Sequence, residues 1–217
     1  MPAPFIVIDG TDGSGKATQT KLLVERLRRE GRKAEQISFP SYGQPSAFFV
    51  EQFQAHQAYG APADMPARTA SVLYAVDRFH HAKEIRTMRE QGTIVISDRY
   101  VSANKGHQTS KIADPAERRA FVAWLNEFEY GIMGVPKPDI TVLLHVSAEI
   151  GYALQERKAH EASLEHLTAA EAAYLELPTI DTAEHWITLE CMEQGALLPI
   201  QEIHERLWTL LRPHLFS

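Results

Sequence analysis

Two glycines and a lysine stand at a spacing that suits phosphate. The stretch Gly10-Thr11-Asp12-Gly13-Ser14-Gly15-Lys16 reads G-x-x-x-x-G-K. Glycines let the backbone curl until several N–H groups converge on one anion. The lysine adds a point charge aimed at the outer phosphates of a nucleoside triphosphate. The pattern takes its meaning from its surroundings. The apolar run Phe5-Ile6-Val7-Ile8, ending in Asp9, precedes it, and a helical pattern over residues 17–30 follows. The start of that helix adds unpaired N–H groups and roughly half a positive charge at the same spot. One position departs from the usual pattern. Ala17 follows Lys16 where Ser or Thr ordinarily binds Mg²⁺, and Thr18 points to another side of the helix. A metal here is held by water and carboxylates, or Thr18 substitutes.

A second group of polar residues follows another apolar run. Residues 93–97, Thr-Ile-Val-Ile-Ser, read as a buried strand leading into Asp98-Arg99-Tyr100. A carboxylate at the end of such a strand is where phosphate-loop proteins keep a second group linked to Mg²⁺. Arg99 would lie near the same phosphates; for Asp98 a plain capping role is the alternative. Asn104 and Gln108 are four apart, two amides able to donate and accept toward a base edge. Tyr74 and Arg78 are also four apart, within a helical pattern over residues 66–91, so they share a face. An aromatic ring one turn from a guanidinium suits a nucleobase, stacked by the one and hydrogen-bonded by the other. The competing reading is a core tyrosine beside a salt bridge of Arg78 with Asp77 or a neighbour. The loop Phe39-Pro40-Ser41-Tyr42-Gly43-Gln44-Pro45 follows a strand, at the end where open α/β sheets bind ligands. Tyr42 either contacts a substrate there or covers the sheet edge.

The elements that must hold these groups alternate. Strand candidates at residues 5–9, 33–38, 93–97, 140–146 and 186–191 are separated by helical segments. The pattern predicts a three-layer α/β/α fold around a five-stranded parallel sheet. The first helix turns Leu22, Leu23 and Leu27 inward and leaves Arg26, Arg28 and Arg29 as a solvated face. Asp114, Pro115 and Glu117 have the order of a capped helix start. That helix is expected to run to Gly131 with Phe121, Leu125 and Phe128 in the core. Ser147 is the expected N-cap of a helix-loop-helix excursion, with a short lid at roughly residues 155–165. No repeat, linker or low-complexity tract interrupts residues 1–217, and one kinase-sized domain is expected.

Composition narrows the function classes. The 217 residues are 44% hydrophobic and 23% charged, with a formal net charge of −6. That balance argues against a partner such as a nucleic-acid polymer or an anionic membrane, which need clustered Lys and Arg. Cys191 is the single cysteine, so no internal disulfide forms, and its apolar surroundings predict a buried, inert thiol. The apolar run near the N-terminus is too short for a signal peptide, and no stretch approaches the ~20 apolar residues of a membrane span. A cytoplasmic protein is expected.

Taken together, these segments resemble thymidylate kinases. The motifs DGTDGSGKATQTKLL, FPSYGQPS, LYAVDRFHH, ISDRYVSANKGHQ and PDITVLLHVS occur in that order in the family, and they span roughly residues 5–175. The resemblance implies transfer of the γ-phosphoryl group of ATP to thymidine 5′-monophosphate, with Mg²⁺. It implies that Gly10, Thr11, Asp12, Gly13, Ser14, Gly15, Lys16, Ala17 and Thr18 surround the ATP phosphates, with Asp12 also facing the acceptor. Arg99 would bridge the acceptor and transferred phosphates, and Asp98 would serve the metal. Tyr74 would stack on thymine, while Arg78, Asn104 and Gln108 read its edge. Phe39 would lie near the base and His107 near the sugar. Tyr42 stands where many relatives have an arginine for the acceptor phosphate. The phosphate loop also lacks the family's catalytic arginine, which leaves Arg157 in the lid as the candidate. The family is dimeric, so a homodimer packed through helix 66–91 is expected. A kinase for another nucleoside monophosphate, or a nucleotide-binding module without transferase activity, is the alternative.

Overall fold

The computed structural model describes residues 2–55, 59–62, 64–156 and 163–216. In chain order it contains β1 (Phe5–Asp9), α1 (Lys16–Arg29), β2 (Ala34–Ser38), α2 (Phe48–Gln54), α3 (Ala67–Glu90), β3 (Ile94–Asp98), α4 (Val101–Thr109), α5 (Pro115–Asn126), β4 (Ile140–His145), α6 (Ala148–Glu156), α7 (Leu164–Ile180), β5 (Trp186–Glu190) and α8 (Ile200–Leu215). A two-residue antiparallel ladder, Met192–Glu193 with Ala196–Leu197, joins β5 to α8. The five long strands form one parallel sheet in the order β2-β3-β1-β4-β5.

Strand β1 runs down the middle, and all five of its residues are buried. Alternation of side chains along a strand sends Ile6 and Ile8 to one face and Phe5 and Val7 to the other. Ile6 and Ile8 pack with Leu23 and Leu27 of α1 and with Leu207, Trp208 and Leu211 of α8. Phe5 and Val7 pack with Ile85 of α3, Val101 of α4, Phe121 of α5 and Tyr174 of α7. Both faces are therefore covered, the condition a parallel sheet needs. Register then sets the site. Ile8 pairs with Asp98 on one side and Val142 on the other, so β1, β3 and β4 all deliver their C-terminal ends to one edge.

Two local expectations change. Arg26 is not simply solvated: it lies 4.2 Å over the Trp208 ring and pairs with Glu205 at 2.7 Å, because α8 packs across α1 and offers it an apolar surface. The helix expected to reach Gly131 ends at Asn126 and continues as a π-turn, Glu127–Ile132. The wider turn leaves Phe128 half-buried, stacked 5.3 Å from Trp124, and turns Glu129 fully inward. Val76, an apolar position of the long helix, faces outward. The Asp114 cap forms as read, its carboxylate accepting from the Ala116 amide at 2.9 Å. Among the described residues no helix is long and apolar enough to cross a membrane.

Candidate active site

The phosphate loop is shaped by close approach as well as by backbone freedom. Gly13 has φ +86°, and a Cβ there would stand 2.7 Å from the carbonyl oxygen of Gly151 in α6. A Cβ on Gly151 would in turn meet the Asp12 carbonyl oxygen at 2.8 Å. Two glycines facing each other thus let the loop lie directly on α6. Helix α1 starts at Lys16, and no side chain caps its first amides. Lys16 is buried; its ammonium donates to the Thr11 carbonyl at 2.8 Å and lies 3.9 Å from Asp12. Burial, then the nearby Arg99 charge, pushes the Lys16 amine down to about 8. The hydroxyls of Thr11 and Ser14 are buried with no protein partner among the described residues. Ala17 and Thr18 are both exposed.

Asp98 and Arg99 close the other side. Arg99 holds φ +63°, a left-handed conformation costly for a side-chain-bearing residue. Its amide donates to the Ile8 carbonyl at 3.0 Å, and its carbonyl accepts from the Ser97 hydroxyl at 2.5 Å. The guanidinium meets the Asp12 carboxylate. Burial works to raise the Asp12 carboxyl, but the Arg99 guanidinium outweighs it and holds the group well below the usual carboxylate range. Nε of Arg99 is buried without a partner among the described residues. The Asp98 carboxyl is raised by burial against the pull of Lys16 and Arg99. Lys16, Asp12 and Arg99 therefore meet at the end of β1, with Asp98 next to Arg99 at the end of β3.

The acceptor-side candidates lie on three elements: the loop after β2, α3 and α4. Tyr42 is exposed, and its hydroxyl donates to Gln54 Oε1 at 2.8 Å; Gln54 Nε2 in turn reaches the Tyr74 hydroxyl at 3.2 Å. Phe53 meets Tyr74 edge-on at 6.1 Å. Phe39 is buried between Tyr100 and His81, with ring centroids at 5.4 and 5.7 Å. Its loop is pinned by Asp77, which accepts from the Ser41 amide at 2.7 Å. Arg78 does not pair with Asp77. It is buried and forks onto Glu129, with Nε and Nη2 each 2.6 Å from a carboxylate oxygen. Asn104 donates to the Ser71 carbonyl at 3.1 Å and to Glu129 at 3.3 Å. His107 lies parallel to His166 at 6.0 Å and edge-on to Tyr174 at 5.6 Å, and burial drives it down to about 3, so it is neutral at pH 7. Gln108 is buried, with Oε1 unpartnered among the described residues. Arg157 and most of the expected lid fall outside the described residues.

Several residues behind the site were not singled out from the sequence. Asp9 is buried and accepts from the Gly10 amide at 2.8 Å, the Tyr174 hydroxyl at 3.0 Å and the Ser102 hydroxyl, tying β1 to α7 and α4. Its position at the end of an apolar strand was the available signal. Lys105 is buried against Asp181, at 2.6 Å, and Glu184. Asn126 and Thr141 donate to the other oxygen of each carboxylate, and Trp186 and Tyr130 share the oxygens that Lys105 meets. Nothing local in the sequence marks Lys105 as internal, since its partners lie some 80 residues away.

Comparison with known proteins points to one family. A family model described as thymidylate kinase matches residues 8–206. The thymidylate kinase of Mycobacterium tuberculosis H37Rv is 31% identical over 195 residues, covering 85% of this chain and 90% of the relative. That of Leifsonia xyli is 32% identical over 184 residues, 81% of this chain and 82% of the relative. A probable thymidylate kinase of Pyrobaculum aerophilum is 32% identical over 165 residues, 76% of each.

Proposed function

The chain belongs to the thymidylate kinase family, and from that premise we propose that it transfers the γ-phosphoryl group of ATP to thymidine 5′-monophosphate, yielding the diphosphate. The observation that carries this reading is the meeting of Lys16, Asp12 and Arg99 between the phosphate loop and the end of β3. Phosphoryl transfer needs positioning and charge stabilisation more than covalent help from the protein. The loop amides and Lys16 hold the β- and γ-phosphates. Lys16, held down to about 8 by burial, is fully protonated once an anion replaces the Thr11 carbonyl as its partner. Arg99 lies between donor and acceptor phosphates, and Asp12 holds its guanidinium in line. Tyr74 stacks on the thymine, His107 lines the sugar side as a neutral ring, and Arg78, Asn104 and Gln108 read the base edge. Tyr42 touches the nucleotide from the exposed loop, through the same chain of hydrogen bonds that fixes Tyr74.

The residues present fit Mg²⁺ carried on the nucleotide. Asp98 offers one carboxylate, Ala17 offers no hydroxyl, and no group of three His, Cys, Asp or Glu side chains gathers as a metal site among the described residues. Mg²⁺ keeps several waters and binds through one or two carboxylates plus phosphate oxygens. When bound, the ion neutralises charge on the phosphates. Arg157 is the proposed lid arginine. The exposed apolar face of α3, with Val72, Val76 and Phe79 at spacings of four and three residues, supports a homodimer packed through that helix. The single cysteine, a buried thiol raised to about 12, suits a reducing cytoplasm. Incubation with radiolabelled ATP and thymidylate is expected to give labelled thymidine diphosphate; its absence refutes the reading. Sedimentation at micromolar concentration is expected to show a dimer.

A further inference from the structure

Glu129 is a fully buried carboxylate that the transfer itself does not use. It sits in the π-turn after α5 and touches two of the three residues assigned to the base edge. Its two oxygens accept Nε and Nη2 of Arg78, each at 2.6 Å, and one of them also accepts Asn104 Nδ2 at 3.3 Å. Arg78 Nη1 lies 3.3 Å from the Tyr100 carbonyl. A guanidinium carries five N–H donors and no acceptor, so three are engaged and two remain. The Asn104 amide has only acceptors, Glu129 and the Ser71 carbonyl, on its nitrogen side. That fixes which way the amide faces and leaves its carbonyl oxygen as the group still able to meet a ligand.

We propose that Glu129 is the residue that sets base specificity, by holding Arg78 as a donor and Asn104 as an acceptor side by side. The inference rests on the reading that Arg78 and Asn104 face the acceptor base. A donor next to an acceptor complements thymine, whose O4 accepts and whose N3–H donates. Cytosine presents the reverse, an amino donor and a bare N3 acceptor, and meets like against like at both atoms. Uracil carries the same edge as thymine, so Glu129 does not distinguish those two. A neutral amide at position 129 offers one acceptor and one donor. It cannot satisfy both Arg78 nitrogens and Asn104 together, so one of them turns or withdraws. Glu129→Asp keeps the charge but pulls the carboxylate back by one methylene and loses the fork.

The test measures kcat/KM for thymidine, deoxyuridine and deoxycytidine monophosphates with the full chain and with Glu129→Gln, Glu129→Asp and Asn104→Ala. A site built around specific hydrogen bonds rejects the mismatched analogue by ~10⁴ or more. In Glu129→Gln the thymidine-to-deoxycytidine ratio is expected to fall at least ~10-fold, while the thymidine-to-deoxyuridine ratio and the KM for ATP stay unchanged. A merely structural role would lower all three substrates together, and that result overturns the proposal. Should the glutamine variant fail to fold, Glu129→Asp carries the same expectation. If Asn104→Ala abolishes the discrimination but folded Glu129 variants keep it, the inference about Glu129 fails alone. If Asn104→Ala keeps it too, the assignment of the base edge fails with it.

Discussion

Replacing Gly151 by alanine should separate catalysis from stability. Gly151 lies in α6, with its amide bonded to the Ser147 carbonyl at 2.9 Å, so alanine adopts its backbone without strain. The new methyl has one obstacle, the Asp12 carbonyl oxygen at 2.8 Å. Ordinary contact begins near 3.4 Å, so the phosphate loop must retreat by roughly 0.6 Å. Asp12 is the loop residue that meets both Lys16 and Arg99. A misplacement of about 1 Å costs ~10²-fold in rate, so a shift of this size should lower kcat by ~10–100-fold. Stability moves little. Alanine in place of a helical glycine gains ~0.5–1 kcal/mol, which offsets part of the ~1–3 kcal/mol cost of a small overpacking. A coupled assay of ADP release on thymidylate, with a thermal melt on the same sample, reads both quantities. Activity within twofold of the parent would refute the argument that the loop rests on α6. A collapse of the melting temperature would refute the claim that the strain is confined to the site.

Four further outcomes are expected. Arg99→Ala should reduce kcat by ~10³–10⁵ in steady-state assays with an unchanged circular dichroism spectrum, and Tyr74→Ala should weaken thymidylate binding by ~1–3 kcal/mol in calorimetry while leaving ATP affinity alone. Lys105→Met strands Asp181 and Glu184 as buried carboxylates, so denaturant unfolding should show a loss of ~3–5 kcal/mol. His145 is held between Glu171 at 2.9 Å and Glu190 at 2.6 Å. Burial lowers its affinity for a proton, but bonds to Glu190 and Glu171 outweigh that and raise its pKa above 6.5. Its contribution to stability is therefore complete below pH 6.5 and is lost as pH rises through the folded value. The melting temperature should fall from pH 6.5 to 8.5 more steeply in the parent than in His145→Gln.

The phosphate loop, the five strands and the Asp98-Arg99 turn were legible because each is a local pattern. A strand buried on both faces must be apolar along its length, and a loop that curls around an anion must carry glycine within a few residues. The same holds for the Asp114 cap. Arg78 was only half legible. Its spacing from Tyr74 gave the shared face, but the choice between Asp77, a surface partner and a base edge depended on Glu129, some 50 residues on and turned inward by a π-turn that no periodicity announces.

What the chain's order of residues determined, then, is the set of groups at the C-terminal ends of β1 and β3, since each apolar run ends in a polar turn; that the two strands pair, with Ile8 opposite Asp98, was set by the structure. What only the tertiary structure decided is how those groups are held. Gly13 against Gly151, Asp9 against Ser102 and Tyr174, and Lys105 against Asp181 and Glu184 are contacts between residues about 75 or more positions apart. Close packing and the need to satisfy buried charge select such partners in space, and neither requirement leaves a periodic trace along the chain.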